Sequence, residues 1–99
     1  MPNIEEELET SLELEEPKMY KVILHNDDYT SMEFVVEVLT MIFHKSEQEA
    51  VDIMLQVHQK GKGLCGVYTY EIAQAKVFQV KELAKANEFP LLVTMEEDV

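Results

Sequence analysis

Three residues with hydrogen-bond acceptors lie together where a predicted strand ends and a predicted helix begins. Asn26, Asp27 and Asp28 follow the apolar run VILH and precede the helix-like segment SMEFVVEVL. Such residues are common in turns because their side chains bond nearby backbone amides, and carboxylates suit the positive end of a helix. Thr30 is predicted to cap that helix, so the three side chains have more acceptor capacity than the helix start requires. This surplus indicates a ligand that donates several hydrogen bonds.

A metal cation and an organic ammonium are the two kinds of ligand that could use these acceptors. Calcium prefers six to eight oxygens from a loop with alternating ligands and a glycine, and NDDYTSME has neither that spacing nor a glycine. The three histidines, at positions 25, 44 and 58, are not paired at the spacing of zinc ligands. We therefore predict no metal site and no cofactor, and we favour the ammonium.

His58 is the second candidate for this chemistry. It lies four residues after Met54 in a predicted helix, at the margin of its apolar face. A single His in that position is more often a packing residue than a functional one. However, the first two helices are joined by a short turn and should pack antiparallel, so the end of the second returns beside the start of the first. Asn26, Asp27 and His58 could then surround one point.

The first half of the chain contains the elements that would position these residues. Residues 18–25, KMYKVILH, have the β-branched and aromatic content of a buried strand. Thr30 and Glu33 are predicted to form a capping box for a helix that runs to about Phe43. Ser46 and Glu49 form a second capping box, and Gly61 is a natural end for the second helix. The apolar faces of the two helices comprise Phe34, Val35, Val38, Leu39 and Ile42, and then Ala50, Ile53, Met54 and Val57.

The second half of the chain adds a strand, a helix and a strand. GLCGVYT is typical of a strand whose glycines permit a bulge or a close neighbour. Thr69 can cap a third helix that must stop before Pro90, and LLVTM is a final short strand. The order βααβαβ predicts a two-layer α+β domain in which a three-stranded antiparallel sheet packs against three helices. The third helix is predicted to carry the apolar residues Ile72, Ala73, Val77, Val80 and Ala84.

The acidic residues are concentrated at the two ends of the chain. Residues 1–17 contain seven Glu and no basic residue, and the chain ends with Glu96, Glu97 and Asp98 before the last valine. Taking these ten acids from the net charge of −12 leaves −2 for the rest. Dense like charge without aromatic residues is typical of disordered segments. We therefore predict a disordered acidic tail over residues 1–17 and one domain over residues 18–97.

Composition also excludes some classes of partner and indicates a cellular location. The chain has eight Lys and no Arg, so it lacks the side chain that binds phosphates through two parallel hydrogen bonds. It also has no basic stretch that could bind along a nucleic-acid backbone. No apolar stretch is long enough to cross a bilayer, and residues 1–17 lack the pattern of a signal peptide. Cys65 is the one cysteine and cannot form an internal disulfide. We predict no nucleic-acid partner, no membrane partner and a cytoplasmic location.

An enzyme would use Asp27, Asp28 and His58 as acid and base groups. It would also need a nucleophile or an activated water in a cleft that excludes solvent. A domain of this size with one partly exposed corner offers little of either. Cys65 lies in a predicted strand and is interpreted as a packing residue. We therefore predict that the protein is not an enzyme.

Three segments of this chain resemble one known family when they are taken together. These are KVILHNDDYTSMEFVVEVL, MLQVHQKGKGLCGVYTYEIAQAKV and NEFPLLVT, which are similar to the ClpS family of bacterial adaptors over about residues 18–95. Members of that family deliver proteins to a Clp AAA+ unfoldase and its peptidase. Two local departures are His25, where an aliphatic residue is common, and Ser31, where proline is frequent.

The resemblance implies a function and assigns roles to residues. The adaptor would bind proteins whose first residue is bulky and hydrophobic (Leu, Phe, Tyr or Trp), a signal called an N-degron, and present them to an unfoldase of the ClpA or ClpC type. It would act as a monomer whose body docks on the N-terminal domain of the unfoldase. The implied α-amino ligands are Asn26, Asp27 and His58, with peptide contacts from Asp28 and Thr30, a side-chain pocket of Leu24, Met32, Val35, Met54, Val57 and Leu91, and docking residues Glu71 and Lys76.

A non-catalytic interaction module is the alternative function. The C-terminal domain of the ribosomal stalk protein shares this type of fold. Such a module would need a basic face that binds a helix, and it gives no reason for the acidic turn.

Overall fold

The computed structural model describes residues 16–99 and confirms the predicted element order. The predicted disordered tail lies outside the described residues, apart from Glu16 and Pro17. No helix in the described part of the chain is long and apolar enough to cross a membrane. The strands are β1 (Met19–His25), β2 (Lys62–Thr69) and β3 (Leu92–Glu97), and the helices are α1 (Met32–Met41), α2 (Glu47–Lys60) and α3 (Tyr70–Ala86).

The three strands form an antiparallel sheet with β1 in the centre, in the order β2-β1-β3. Val22 and Leu24 of β1 are fully buried and join one core with apolar residues of all three helices. The pairing of β1 with β2 shifts register between Val22 and Ile23, so Cys65 is the extra residue of a β-bulge. This confirms the bulge that the glycines of GLCGVYT allow.

α1 ends at Met41, two residues before the predicted end at about Phe43. Half of the surface of Ile72 is exposed because it lies beside the buried stripe that begins at Ala73. The capping pair at the start of α2 is confirmed, since the Glu49 amide donates to Ser46 Oγ over 3.2 Å and Ser46 Oγ donates to the Glu49 carboxylate over 3.0 Å.

The C-terminal end of α3 contains a strained residue. Glu88 has a φ of 60°, which is the left-handed conformation that costs about 1–2 kcal/mol for a residue with a Cβ. Its amide donates to the Lys85 carbonyl over 3.1 Å, and the Phe89 amide donates to the Ala84 carbonyl over 2.9 Å. This pair of bonds is a Schellman motif, in which glycine is the preferred left-handed residue.

Glu88→Gly is expected to raise the free energy of unfolding by about 1 kcal/mol, because glycine adopts a positive φ without a steric penalty. Urea denaturation monitored by circular dichroism measures the change. Glu88→Ala is the matched control, since it removes the carboxylate but keeps the Cβ. An equal gain from both substitutions would contradict the conformational explanation.

Candidate functional site

The acidic turn is attached to the end of α2 by backbone hydrogen bonding. The Asn26 amide donates to the Gly61 carbonyl over 2.8 Å, next to the pairing of His25 with Lys62 in the sheet. Gly61 ends α2 in the left-handed conformation, with a φ of 90°, and its amide donates to the Val57 carbonyl over 2.9 Å. His58 precedes Gly61 by three residues. The turn and the last helical turn of α2 are therefore held side by side.

Asp27 organises the turn itself. Its Oδ1 accepts hydrogen bonds from the amides of Tyr29, over 2.8 Å, and Thr30, over 2.7 Å. Its Oδ2 accepts from the Thr30 hydroxyl over 2.6 Å. Partial burial alone would raise the pKa of Asp27, but these three hydrogen bonds outweigh it and hold the pKa below its ordinary value of 3.8. Both carboxylate oxygens of Asp27 are thus used within the turn.

The predicted cap at Thr30 is wrong. The N-cap of α1 is Ser31, whose Oγ accepts from the Phe34 amide over 3.1 Å. Thr30 lies one residue too early, and its hydroxyl donates to Asp27 instead. Most of the surplus acceptor capacity therefore belongs to Asn26 and Asp28, because Asp27 already uses three of its roughly four acceptor sites. Within residues 16–99, no hydrogen bond engages the exposed Asp28 carboxylate.

A cavity of about 430 Å³ opens beside the turn, between the start of α1 and the end of α2. This volume is within the range of small-ligand pockets, about 300–1,000 Å³. It combines acceptors with apolar side chains. Its lining consists of Asn26, Asp27, Asp28, Tyr29, Thr30, Ser31, Met32, Val35, Met54, Val57 and His58.

The cavity brings together nine of the eleven residues that were predicted for amine, peptide and side-chain binding. The two that it does not include are Leu24, which is fully buried in the core, and Leu91, which is also buried. Tyr29 and Ser31 line the cavity but were not predicted. The position of Tyr29 inside NDDYT was the available signal, since a residue between two predicted contacts must pass close to the same ligand.

The two predicted docking residues have different surroundings. Glu71 is exposed in the first turn of α3, beside Tyr70 and Pro17. Lys76 is only partly exposed, and its ammonium donates to the Ile42 carbonyl at the end of α1 over 2.6 Å. A cation at that position stabilises the negative end of a helix. Lys76 therefore links α1 to α3 within the domain.

Other groups with potential chemistry are few among the described residues. Within residues 16–99, no three His, Cys, Asp or Glu side chains converge as metal ligands. Cys65 is fully buried in β2, and burial raises the pKa of its thiol to about 12. Since the thiolate is the nucleophilic form, Cys65 is unreactive at neutral pH.

The fold and the site define a small α+β binding domain in which an acidic turn and apolar side chains line one cavity. The family model for the ATP-dependent Clp protease adaptor protein ClpS matches residues 15–94. This chain belongs to the ClpS family, as its sequence motifs predicted, and is a Clp protease adaptor.

Individual relatives agree with the family match. The adapter protein ClpS of Shewanella loihica is 57% identical over 95 residues, covering 96% of this chain and 91% of the relative. That of Acetivibrio thermocellus is 56% identical over 90 residues, covering 91% of each chain. A solved structure of Agrobacterium tumefaciens ClpS2 bound to L-phenylalaninamide superposes with a TM-score of 0.80 at 40% identity, covering 83% of this chain and 99% of the other.

Proposed function

We propose that this adaptor binds the free N-terminus of proteins that begin with Leu, Phe, Tyr or Trp, and delivers them to a Clp AAA+ unfoldase. One observation carries the proposal: unused acceptors and an apolar surface line the same cavity. The Agrobacterium ClpS2 supports it, because phenylalaninamide has both a free α-amino group and a large apolar side chain. The same evidence favours the adaptor over the stalk-like module.

We place the α-ammonium of the bound protein against Asn26, Asp27 and His58, and Asp28 beside the first peptide units. A free N-terminus titrates near pH 7.7–8.0, so it is mostly a cation with three donors at neutral pH. The Asn26 side-chain carbonyl and the remaining acceptor site of the Asp27 carboxylate accept two of them, and a His58 ring nitrogen that carries no hydrogen accepts the third. Asp27 also positions the turn through its three hydrogen bonds, and Asp28 adds negative charge. Thr30 contacts the backbone of the bound protein just after its first residue.

The first side chain occupies the apolar part of the cavity, against Met32, Val35, Met54 and Val57. Burying a Leu or Phe side chain contributes about 1.5–3 kcal/mol, and hydrogen bonds to a charged group contribute about 1.5–3 kcal/mol each. For one side chain and three bonds the sum is about 6–12 kcal/mol, and its upper end, after association costs of about 4 kcal/mol, corresponds to micromolar binding, about 8 kcal/mol. Neither part suffices alone, so internal hydrophobic residues and blocked N-termini are rejected.

The remaining parts of the proposal concern partners and location. The body docks on the N-terminal domain of an unfoldase of the ClpA or ClpC type, through the start of α3 around Glu71. Lys76 joins that contact only if its ammonium leaves the Ile42 carbonyl. The adaptor acts as a monomer in the cytoplasm and has no catalytic activity of its own.

The test compares a fluorescent peptide that begins with Leu with its N-acetylated twin in anisotropy titrations. Acetylation removes the charge and two of the donors, which we expect to cost about 2 kcal/mol, or about thirtyfold in affinity. A peptide that begins with Gly and is otherwise identical controls for the first side chain. Equal affinity of the free and acetylated peptides would refute amine recognition.

Replacing the first Leu by Ile is expected to weaken binding by about tenfold. The extra methyl group on Cβ stiffens the side chain and has to lie against the wall of the cavity, whereas unbranched and planar side chains can enter. Competition titrations with peptides that differ only in their first residue measure this ratio. A preference for Ile over Leu would show that the cavity has a different shape from the one proposed.

A further inference from the structure

Two methionines line the cavity, and one of them is open to solvent. Met32 is the first residue of α1 and is 45% exposed, whereas Met54 on α2 is half-buried. Met41, at the other end of α1, is 57% exposed but lies outside this cavity. Met32 therefore presents a reachable thioether at the point where an apolar side chain would bind.

A hydroperoxide converts such a thioether into a sulfoxide. One peroxide oxygen forms a bond to sulfur as the O–O bond breaks, and with hydrogen peroxide the second oxygen leaves as water. Sulfur loses two electrons and the peroxide gains them. The product is polar, and sulfoxide reductases return it to the thioether.

We propose that Met32 is an oxidative modification site that weakens binding of the N-degron. The inference rests on the proposed function, because it requires an apolar side chain to pack against Met32. A sulfoxide in that contact is a hydrogen-bond acceptor that the apolar side chain cannot satisfy, and burying it is unfavourable. We expect the affinity to fall by about tenfold or more.

Peptide binding should in turn protect Met32 from oxidation. A bound peptide that covers the Met32 sulfur keeps the oxidant away from it and slows its oxidation. Met41 should be oxidised at the same rate with and without peptide, because it lies outside the cavity. Met41 is thus an internal control of similar exposure on the same helix.

The experiment treats the full-length protein with hydrogen peroxide, with and without the Leu peptide, and follows each methionine by peptide mass spectrometry. Anisotropy then gives the affinity of each protein before and after oxidation. The variants are Met32→Leu, Met54→Leu and Met41→Leu, and each is compared with its own untreated form. We expect oxidation to lower the affinity for the Leu peptide by about tenfold or more in every protein except Met32→Leu. We also expect bound peptide to slow the oxidation of Met32 but not that of Met41.

Several results would overturn the inference while leaving the proposed function intact. These are an affinity that changes less than twofold when Met32 is fully oxidised, a Met32 that resists peroxide while Met41 reacts, and a Met32→Leu variant that stays fully sensitive. Untreated protein that fails to bind the Leu peptide would instead overturn the proposed function, and this inference with it.

Discussion

Asp27→Ala is expected to lower the affinity for a peptide with a free N-terminal Leu by at least about a hundredfold. The substitution removes the acceptor of three hydrogen bonds, from the amides of Tyr29 and Thr30 and from the Thr30 hydroxyl. Bonds to a charged group contribute about 1.5–3 kcal/mol each, so the turn should lose its defined shape. The Asp27 acceptor would be lost, and Asn26 would no longer converge with His58 on the amine. The loss should therefore exceed that from acetylating the peptide.

Asp28→Ala is the matched control because it removes a neighbouring carboxylate that has no hydrogen bond within residues 16–99. Both substitutions should weaken peptide binding, but Asp27→Ala should also lower the free energy of unfolding, by at least about 1.5–3 kcal/mol, the contribution of one such bond, since water can replace part of the loss in this half-buried turn. Urea denaturation and anisotropy on both variants separate the two roles. If Asp27→Ala binds peptide as wild type does and unfolds at the same urea concentration, Asp27 does not position the turn.

The pH dependence of stability gives an independent check. Because the pKa of Asp27 is lower in the folded protein than its ordinary value of 3.8, its contribution to stability is complete above that pH. The contribution is lost as the pH falls through the lowered pKa. In Asp27→Ala that part of the acid destabilisation should be absent, so the stabilities of variant and wild type should converge at low pH.

Gly63→Ala is expected to lower the free energy of unfolding by about 1–3 kcal/mol. A Cβ at Gly63 would lie 2.7 Å from Val57 Cγ2 and 3.3 Å from both Ile53 Cγ2 and the Ile53 carbonyl oxygen. Val57 is 2% exposed and has a stiff side chain in a helix, so it cannot rotate away. Since Val57 also lines the cavity, its displacement should weaken binding of the Leu peptide as well.

A double-mutant cycle tests whether Val57 causes this effect. In a Val57→Ala background the nearest obstructing methyl is gone, so the added cost of Gly63→Ala should be smaller. Thermal or urea unfolding of the four proteins gives the coupling energy. An unchanged cost in the two backgrounds would show that the obstruction comes from Ile53 or from the backbone.

Local signals in the sequence were sufficient for the elements and for most of their ends. Ser46 and Gly61 bound α2 as predicted, because a side-chain cap and a left-handed glycine act over a few residues only. The same reasoning missed the start of α1, where Thr30 and Ser31 are both acceptable caps. Their choice depends on Asp27, whose carboxylate engages Thr30 and leaves the cap to its neighbour.

Burial was less predictable than secondary structure. Leu24, Leu91 and Val57 are all apolar and all buried, but only Val57 also lines the cavity. The hydrophobicity of a side chain predicts that it is buried, but it does not predict which residues it contacts. Those neighbours follow from strand register and helix packing, which couple residues far apart in the chain.

The sequence by itself determined the order of the elements, the acidic turn, and the motifs that place this chain among the ClpS adaptors. These depend on short-range hydrogen bonding, on hydrophobic periodicity and on residue identity. Only the tertiary structure decided that Asp27 bonds Tyr29 and Thr30 while Asp28 accepts no hydrogen bond from residues 16–99, and that His58 lines the same cavity as both. The physical reason is that the bond from Asn26 to Gly61 and the pairing of His25 with Lys62 join segments more than thirty residues apart.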